Sequence, residues 1–282
     1  MKLSLCNEVL RDLPFDEQCR TAAALGYAGL EVAPFTLTDD PSVLGERDAR
    51  HLAAVASDFG VAISSLHWLL VKPEGLSLST PDAALHTRTV AFLKHLIDFA
   101  AACGAGVLVH GSPKQRSPVP GQSTEDALQR VVAGWAELAP HAQAAGVVYC
   151  IEPLGPFETP VLNTLAEAVA VVDRIASPAL RTMLDLSAAT LAEHEDAPSL
   201  LRRHVASGHI AHVQLNDANR RGPGQGDTPV APVLQALHEL GYRGWLAIEP
   251  FDYHPDPLGC AAFCAGYVQG LLQTITHREP RP

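Results

Sequence analysis

Four apolar runs in the second half of the chain each end in an oxygen donor able to bind a metal. They are VVYCIE to Glu152, RTMLD to Asp185, HIAHVQ to Gln214 and GWLAIE to Glu249. Their ends lie 33, 29 and 35 residues apart, each gap the length of one strand plus one helix. Charge at the end of a buried strand is costly unless it is paired or bound to a cation. Carboxylates delivered at the same phase of a repeated strand–helix unit converge on one spot. Three carboxylates and an amide there make a hard, oxygen-rich site, suited to one Mn²⁺, Mg²⁺ or Co²⁺ rather than to a structural zinc. A cation so held polarises a carbonyl and the adjacent hydroxyl and eases loss of a carbon-bound proton beside them.

Alternation of side chains along a strand sets which residues share a face. Glu152 shares its face with Cys150 and Val148, Asp185 with Met183, and Glu249 with Ala247 and Trp245. In the third run His212 and Gln214 point the same way, one layer apart. Gln214 is nearer the strand end and level with the other three, so it is the expected fourth ligand. His212 is expected behind it, with coordination by its imidazole as the alternative. His67 and His110 end two earlier apolar runs and are expected to face the same mouth, touching substrate or supporting the residues that do, with Trp68 beside His67 as an apolar wall or as packing. Lys114, Arg116 and Arg221 could hold a phosphate, but as long cations in loops they are expected to be solvated. Ser64 and Ser65 lack a His–Asp partner pattern, and GPGQG (222–226) is not followed by Gly-Lys-Ser/Thr, so neither a nucleophile nor a phosphate loop is indicated.

The elements that must position these residues alternate in type. Strands are expected at 3–7, 29–33, 61–67, 106–111, 147–152, 180–185, 210–215 and 245–249. Amphipathic stretches lie between them, among them 15–26, 84–104 and 125–146, each ending in Gly before the next strand as a helix C-terminus does. Eight strands and eight helices in alternation predict a single (β/α)8 barrel over 1–282, with 276–282 a tail. The longest connections follow strands (68–82, 111–123, 153–163 and 216–229), and in this architecture those loops build the active face. An open doubly wound sheet would want a GxGxxG after the first strand, and none is there.

Composition narrows the function classes. The chain has 282 residues, 31 acidic against 20 basic, and a formal net charge of -11, which argues against a nucleic-acid partner. Six cysteines without a CxxC pair, in apolar contexts, read as buried free thiols in a reducing cytosol. The N-terminus lacks the pattern of a cleaved signal, and no uninterrupted apolar stretch approaches about 18 residues, so a cytoplasmic protein with no membrane span is expected.

Segments 151–164 (IEPLGPFETPVLNT), 183–189 (MLDLSAA), 212–227 (HVQLNDANRRGPGQGD) and 247–253 (AIEPFDY) carry a resemblance, together with GYAGLEVAP near the N-terminus and the fourth strand's HGSPKQR. The chain resembles the xylose-isomerase-like sugar isomerases and epimerases, closest to the ketose 3-epimerase and hydroxypyruvate isomerase branch. That resemblance places the metal ligands on Glu152, Asp185, Gln214 and Glu249 and pairs Glu152 with Glu249 as acid and base. It assigns Glu158 and Arg220 to a small carbohydrate substrate, and a homo-oligomer (dimer or tetramer) is compatible with it. Epimerases of the family usually have His where Gln214 stands, whereas hydroxypyruvate-isomerase-like members can have Gln. The His common three residues after the strand-six Asp is Ala188 here. A trinuclear zinc centre like that of the related apurinic endonucleases cannot be completed, because Ala188 and the segment Asp227-Thr228-Pro229 lack its His ligands. The expected activity is therefore ketose 3-epimerisation through an enediolate. Aldose–ketose isomerisation, a lyase or dehydratase acting on a keto-sugar or keto-inositol, and a non-catalytic sugar-binding barrel are the rivals.

Overall fold

In the computed structural model, which describes residues 1–276, eight parallel strands close into one barrel in sequential order, β8 pairing back onto β1. The strands are β1 (Lys2–Cys6), β2 (Gly29–Val32), β3 (Ala62–Leu66), β4 (Val107–His110), β5 (Val148–Ile151), β6 (Leu180–Asp185), β7 (Ile210–Leu215) and β8 (Trp245–Ile248). Each falls within one or two residues of its expected place. The helices are α1 (Phe15–Ala24), α2 (Glu46–Asp58), α3 (Ala83–Cys103), α4 (Pro113–Arg116), α5 (Thr124–Ala145), α6 (Leu165–Ile175), α7 (Leu186–Ala192), α8 (Ala197–His204), α9 (Val230–Glu239) and α10 (Pro257–Thr276). The sequence count of eight is corrected to ten among the described residues: α4 is one turn inside the loop after β4, and both α7 and α8 follow β6. Thr276 still belongs to α10, and 277–282, the rest of the expected tail, lie outside the described residues.

Local chemistry explains the element ends. Ser123 and Thr164 accept from the backbone N–H groups of Asp126 and Glu167 and so cap α5 and α6, while Glu167 reaches back to complete a capping box. Gly104 and Gly146 close α3 and α5 in the left-handed region, which hands the chain directly to β4 and β5. The main apolar core lies between strands and helices, and a small one inside the barrel gathers Val109, Cys150 and Met183. Cys150 and Met183 thus sit one layer below Glu152 and Asp185, as strand parity requires. All six cysteines are buried and free.

Gln269 and Gln273 interrupt the apolar stretch of the last helix. By length and composition α10 is apolar enough to cross a bilayer. In this fold it is the eighth barrel helix, burying Cys260, Ala261, Cys264, Ala265 and Val268.

Candidate active site

β5 and β8 end one residue before Glu152 and Glu249, and β6 ends on Asp185, so three carboxylates meet at the C-terminal mouth. One oxygen from each lies within 4.8 Å of the others, all three side chains being buried. Gln214 stands in register beside Asp185. Two adjoining pockets open above the cluster. Both are lined by Glu152, Leu154, Glu158 and Phe251; His67, Trp68 and Glu249 line the first, Asp185, Ala188 and Arg220 the second.

Each carboxylate is held differently. Asp185 caps α7: its Oδ1 accepts from the Ala188 N–H at 2.6 Å and its Oδ2 from Asn216 Nδ2 at 2.6 Å. Glu249 Oε1 accepts from His67 Nδ1 at 3.2 Å and Trp68 Nε1 at 3.1 Å. Trp68 reaches it from a backbone with φ 52°, an uncommon conformation for a bulky side chain and one found at functional sites. Glu152 has close room only because residue 111 is glycine, since a Cβ there would overlap its Oε2. Gly111→Ala should therefore push the Glu152 carboxylate aside. The expected result is a folded barrel by circular dichroism with divalent-cation affinity reduced tenfold or more, and an unchanged affinity would remove the close approach from the site's requirements.

Charge is concentrated. Burial, with the neighbouring acids adding to it, pushes Glu249 up to about 8 and Glu152 well above the usual carboxylate range. Burial likewise lifts Asp185 to about 6, against the opposing pull of the Ala188 N–H and Asn216. Carboxylates that resist ionisation together are the arrangement that a cation relieves.

His67 bridges the cluster outward, its Nε2 donating to Glu8 Oε2 at 2.9 Å. Burial alone would lower its pKa, but Glu8, Glu31 and Glu249 raise it well above the imidazole range. His110 ends β4. It is fully buried and does not line either cavity, because Trp135 Nε1 (3.2 Å) and the Tyr149 hydroxyl (2.6 Å) hold its Nδ1 from behind. Burial, with Arg116 adding to it, lowers it to about 3, so the ring is neutral. His212 sits below Gln214 as expected, its Nε2 2.6 Å from Glu31 Oε2 at an angle outside hydrogen-bond geometry.

Over the mouth, Glu158 Oε2 accepts from the Gly155 N–H at 3.1 Å. The Arg220 guanidinium lies 4.4 Å over the Phe251 ring, and its carbonyl accepts from the N–H groups of Phe251 and Asp252, tying the loop after β7 to that after β8. Lys114 is exposed and Arg221 pairs with Asp252, but Arg116 corrects the reading of the three as solvated cations. It is fully buried, and its NH1 donates to the Glu152 carbonyl at 2.7 Å while Nε and NH2 have no partner. Burial lowers it to about 10, the charges of Glu152 and Glu158 working the other way. Glu8, Glu31, Asn216 and Gly111 are the other site residues that sequence reasoning missed. An acid inside the apolar strand GLEVA was the one legible signal among them.

The region 19–262 matches the family described as xylose isomerase-like TIM barrel, and the chain belongs to that family. L-ribulose 3-epimerase of Mesorhizobium japonicum is 29% identical over 237 residues, 83% of this chain and 75% of that one. A Streptomyces coelicolor protein provisionally named hydroxypyruvate isomerase is 28% identical over 250 residues, 84% of this chain and 86% of that one. A solved structure of an L-ribulose 3-epimerase superposes with a TM-score of 0.84 at 21% identity, covering 100% of this chain and 99% of that one. The chain is an enzyme of the isomerase and epimerase class.

Proposed function

We propose that this protein is a divalent-metal-dependent ketose 3-epimerase. The observation that carries the reading is the convergence of Glu152, Asp185 and Glu249 beside a buried Gln214 whose Oε1 has no partner. Three acids and an orphaned amide oxygen fit a hard cation, Mn²⁺ best, with Mg²⁺ or Co²⁺ able to substitute. Glu152, Asp185, Gln214 and Glu249 would hold it. When bound, the cation supplies polarisation of the substrate carbonyl and adjacent hydroxyl, and with it stabilisation of the enediolate.

The chain's own groups do the proton work. Glu152 and Glu249 come from strands on different sides of the barrel and flank the space above the cluster. One removes the C3 proton, and the other returns a proton to the opposite face. His67 and Trp68 hold Glu249 by one oxygen and so set the direction of its carboxylate. Glu158 and Arg220 sit over the mouth to bind substrate hydroxyls near C1 to C3, while Phe251, Leu154 and Trp68 supply apolar walls that exclude water. Trp135 and Tyr149 hold His110 through its Nδ1, which fixes the ring at the end of β4.

Gln214 and Ala188 favour a second reading, an aldose–ketose isomerase of the hydroxypyruvate type, because they depart from the epimerase pattern together. Incubating Mn²⁺-loaded protein with a panel of ketoses in D2O and following the carbons by NMR separates the readings. Deuterium at C3 with inversion is the expected result. Deuterium at the former carbonyl carbon supports the isomerase, loss of a β-substituent a lyase, and exchange at no carbon a binding protein.

A further inference from the structure

We propose that Glu31, on β2, is the positioning residue that fixes Gln214 as an oxygen donor to the cation. The inference rests on the metal reading above and adds to it the residue that decides which end of the amide faces the ion. Gln214 Nε2 donates to Glu31 Oε1 at 2.6 Å. An ionised carboxylate can only accept, so the amide orientation at this contact is set by chemistry. The amide oxygen is then left buried and without a partner, on a residue in register with Asp185. A buried acceptor without a partner is costly, and a ligand is what removes the cost.

Glu31 is itself immobilised. It is fully buried, and its register neighbours on β1 and β3, Cys6 and Ser65, both reach its carboxylate, Cys6 Sγ at 3.5 Å and Ser65 through its hydroxyl. His212 Nε2 lies 2.6 Å and His67 Nδ1 3.5 Å from the Glu31 carboxylate. β2 is separated from β7 by β8 and β1, so the Glu31–Gln214 bond spans the barrel interior beneath the mouth. Turning the amide over would set its oxygen against the Glu31 carboxylate and its N–H groups toward the cation. Both contacts are repulsive, so Glu31 excludes that orientation. Partners behind the ligand shell commonly orient metal ligands in this way. A neutral oxygen donor held at this place also explains how the site keeps an amide where a third Glu would meet Glu31 as a like charge.

The test exchanges the two roles. Mn²⁺ affinity is measured by calorimetry and by electron paramagnetic resonance on metal-stripped wild type, E31Q, Q214E and the double variant E31Q/Q214E. Each single variant should bind Mn²⁺ at least tenfold more weakly, E31Q because the amide is no longer oriented and Q214E because two carboxylates face each other. The double variant should recover affinity to within threefold of wild type or better, since the amide then carried by β2 can donate to the carboxylate then carried by β7. Additive losses, or an E31Q affinity equal to wild type in a protein that does bind Mn²⁺, would overturn the proposal and leave the metal reading standing. A wild type that binds no Mn²⁺ overturns both. Should E31Q fail to fold, a crystal of wild type grown with Mn²⁺ decides: Gln214 Oε1 on the ion with Nε2 still on Glu31 supports the inference. His212 on the ion, or Gln214 turned from Glu31, refutes it.

Discussion

Glu152→Gln and Glu249→Gln are each expected to abolish ketose turnover while leaving the barrel folded. Glutamine keeps an oxygen that can face a cation but cannot accept a proton from carbon, so the loss falls on the chemical step. General acid–base catalysis of this kind contributes roughly 10²- to 10⁴-fold, and the pair acts in series, so either substitution should remove at least that much. The surroundings of the two differ. Glu249 shares one oxygen with the N–H groups of His67 and Trp68, whereas no side-chain donor is on Glu152 among the described residues. One variant should therefore retain exchange of the C3 proton with D2O from one epimer while failing to invert it. Steady-state rates and deuterium incorporation from both epimers check this, alongside Mn²⁺ stoichiometry. Full activity in either variant removes that Glu from the mechanism.

How much of this was legible in the sequence depends on whether a residue is announced by strand phase. Glu152, Asp185 and Glu249 were, because a charged residue closing an apolar run is conspicuous and the gaps repeat. The barrel followed from the same repeat. The place of Gln214 level with Asp185 was legible from its position relative to His212, though its contact with Glu31 across the barrel was not. Arg116 could not be read correctly: a cation in a Pro- and Ser-containing loop looks solvated, and only the single turn of α4 carries it beneath Glu152. The surroundings of His110 were hidden for a related reason. Strand position gives the end of the barrel, while the ring's depth is set by Trp135 on α5 and Tyr149 on β5. α10 reaches a membrane-like mean hydropathy without an uninterrupted apolar run, because its Leu, Val, Ile, Ala and Cys residues are spaced by Gly and Gln.

Stripping the site with a chelator should produce a protein whose stability falls as pH rises through about 6 to about 8, and whose rescue by Mn²⁺ grows over the same window. The sign follows from the direction of the shifts. Asp185 and Glu249 hold protons in the folded state at pH values where the unfolded chain has lost them, so the folded form binds more protons. The stability they contribute is complete below the ordinary carboxylate range and is lost as pH passes through the raised values. Protons compete with a cation for the same oxygens, so raising pH strengthens cation binding, and a ligand bound only by the folded state stabilises by mass action. The melting-temperature difference between Mn²⁺-loaded and stripped protein, read by scanning fluorimetry across a pH series, should accordingly widen from pH 6 to pH 8. A cation held by ordinary surface carboxylates would show its pH dependence near about 4 and none above 6. A difference that stays level across the higher window would therefore place the ion away from Glu152, Asp185 and Glu249.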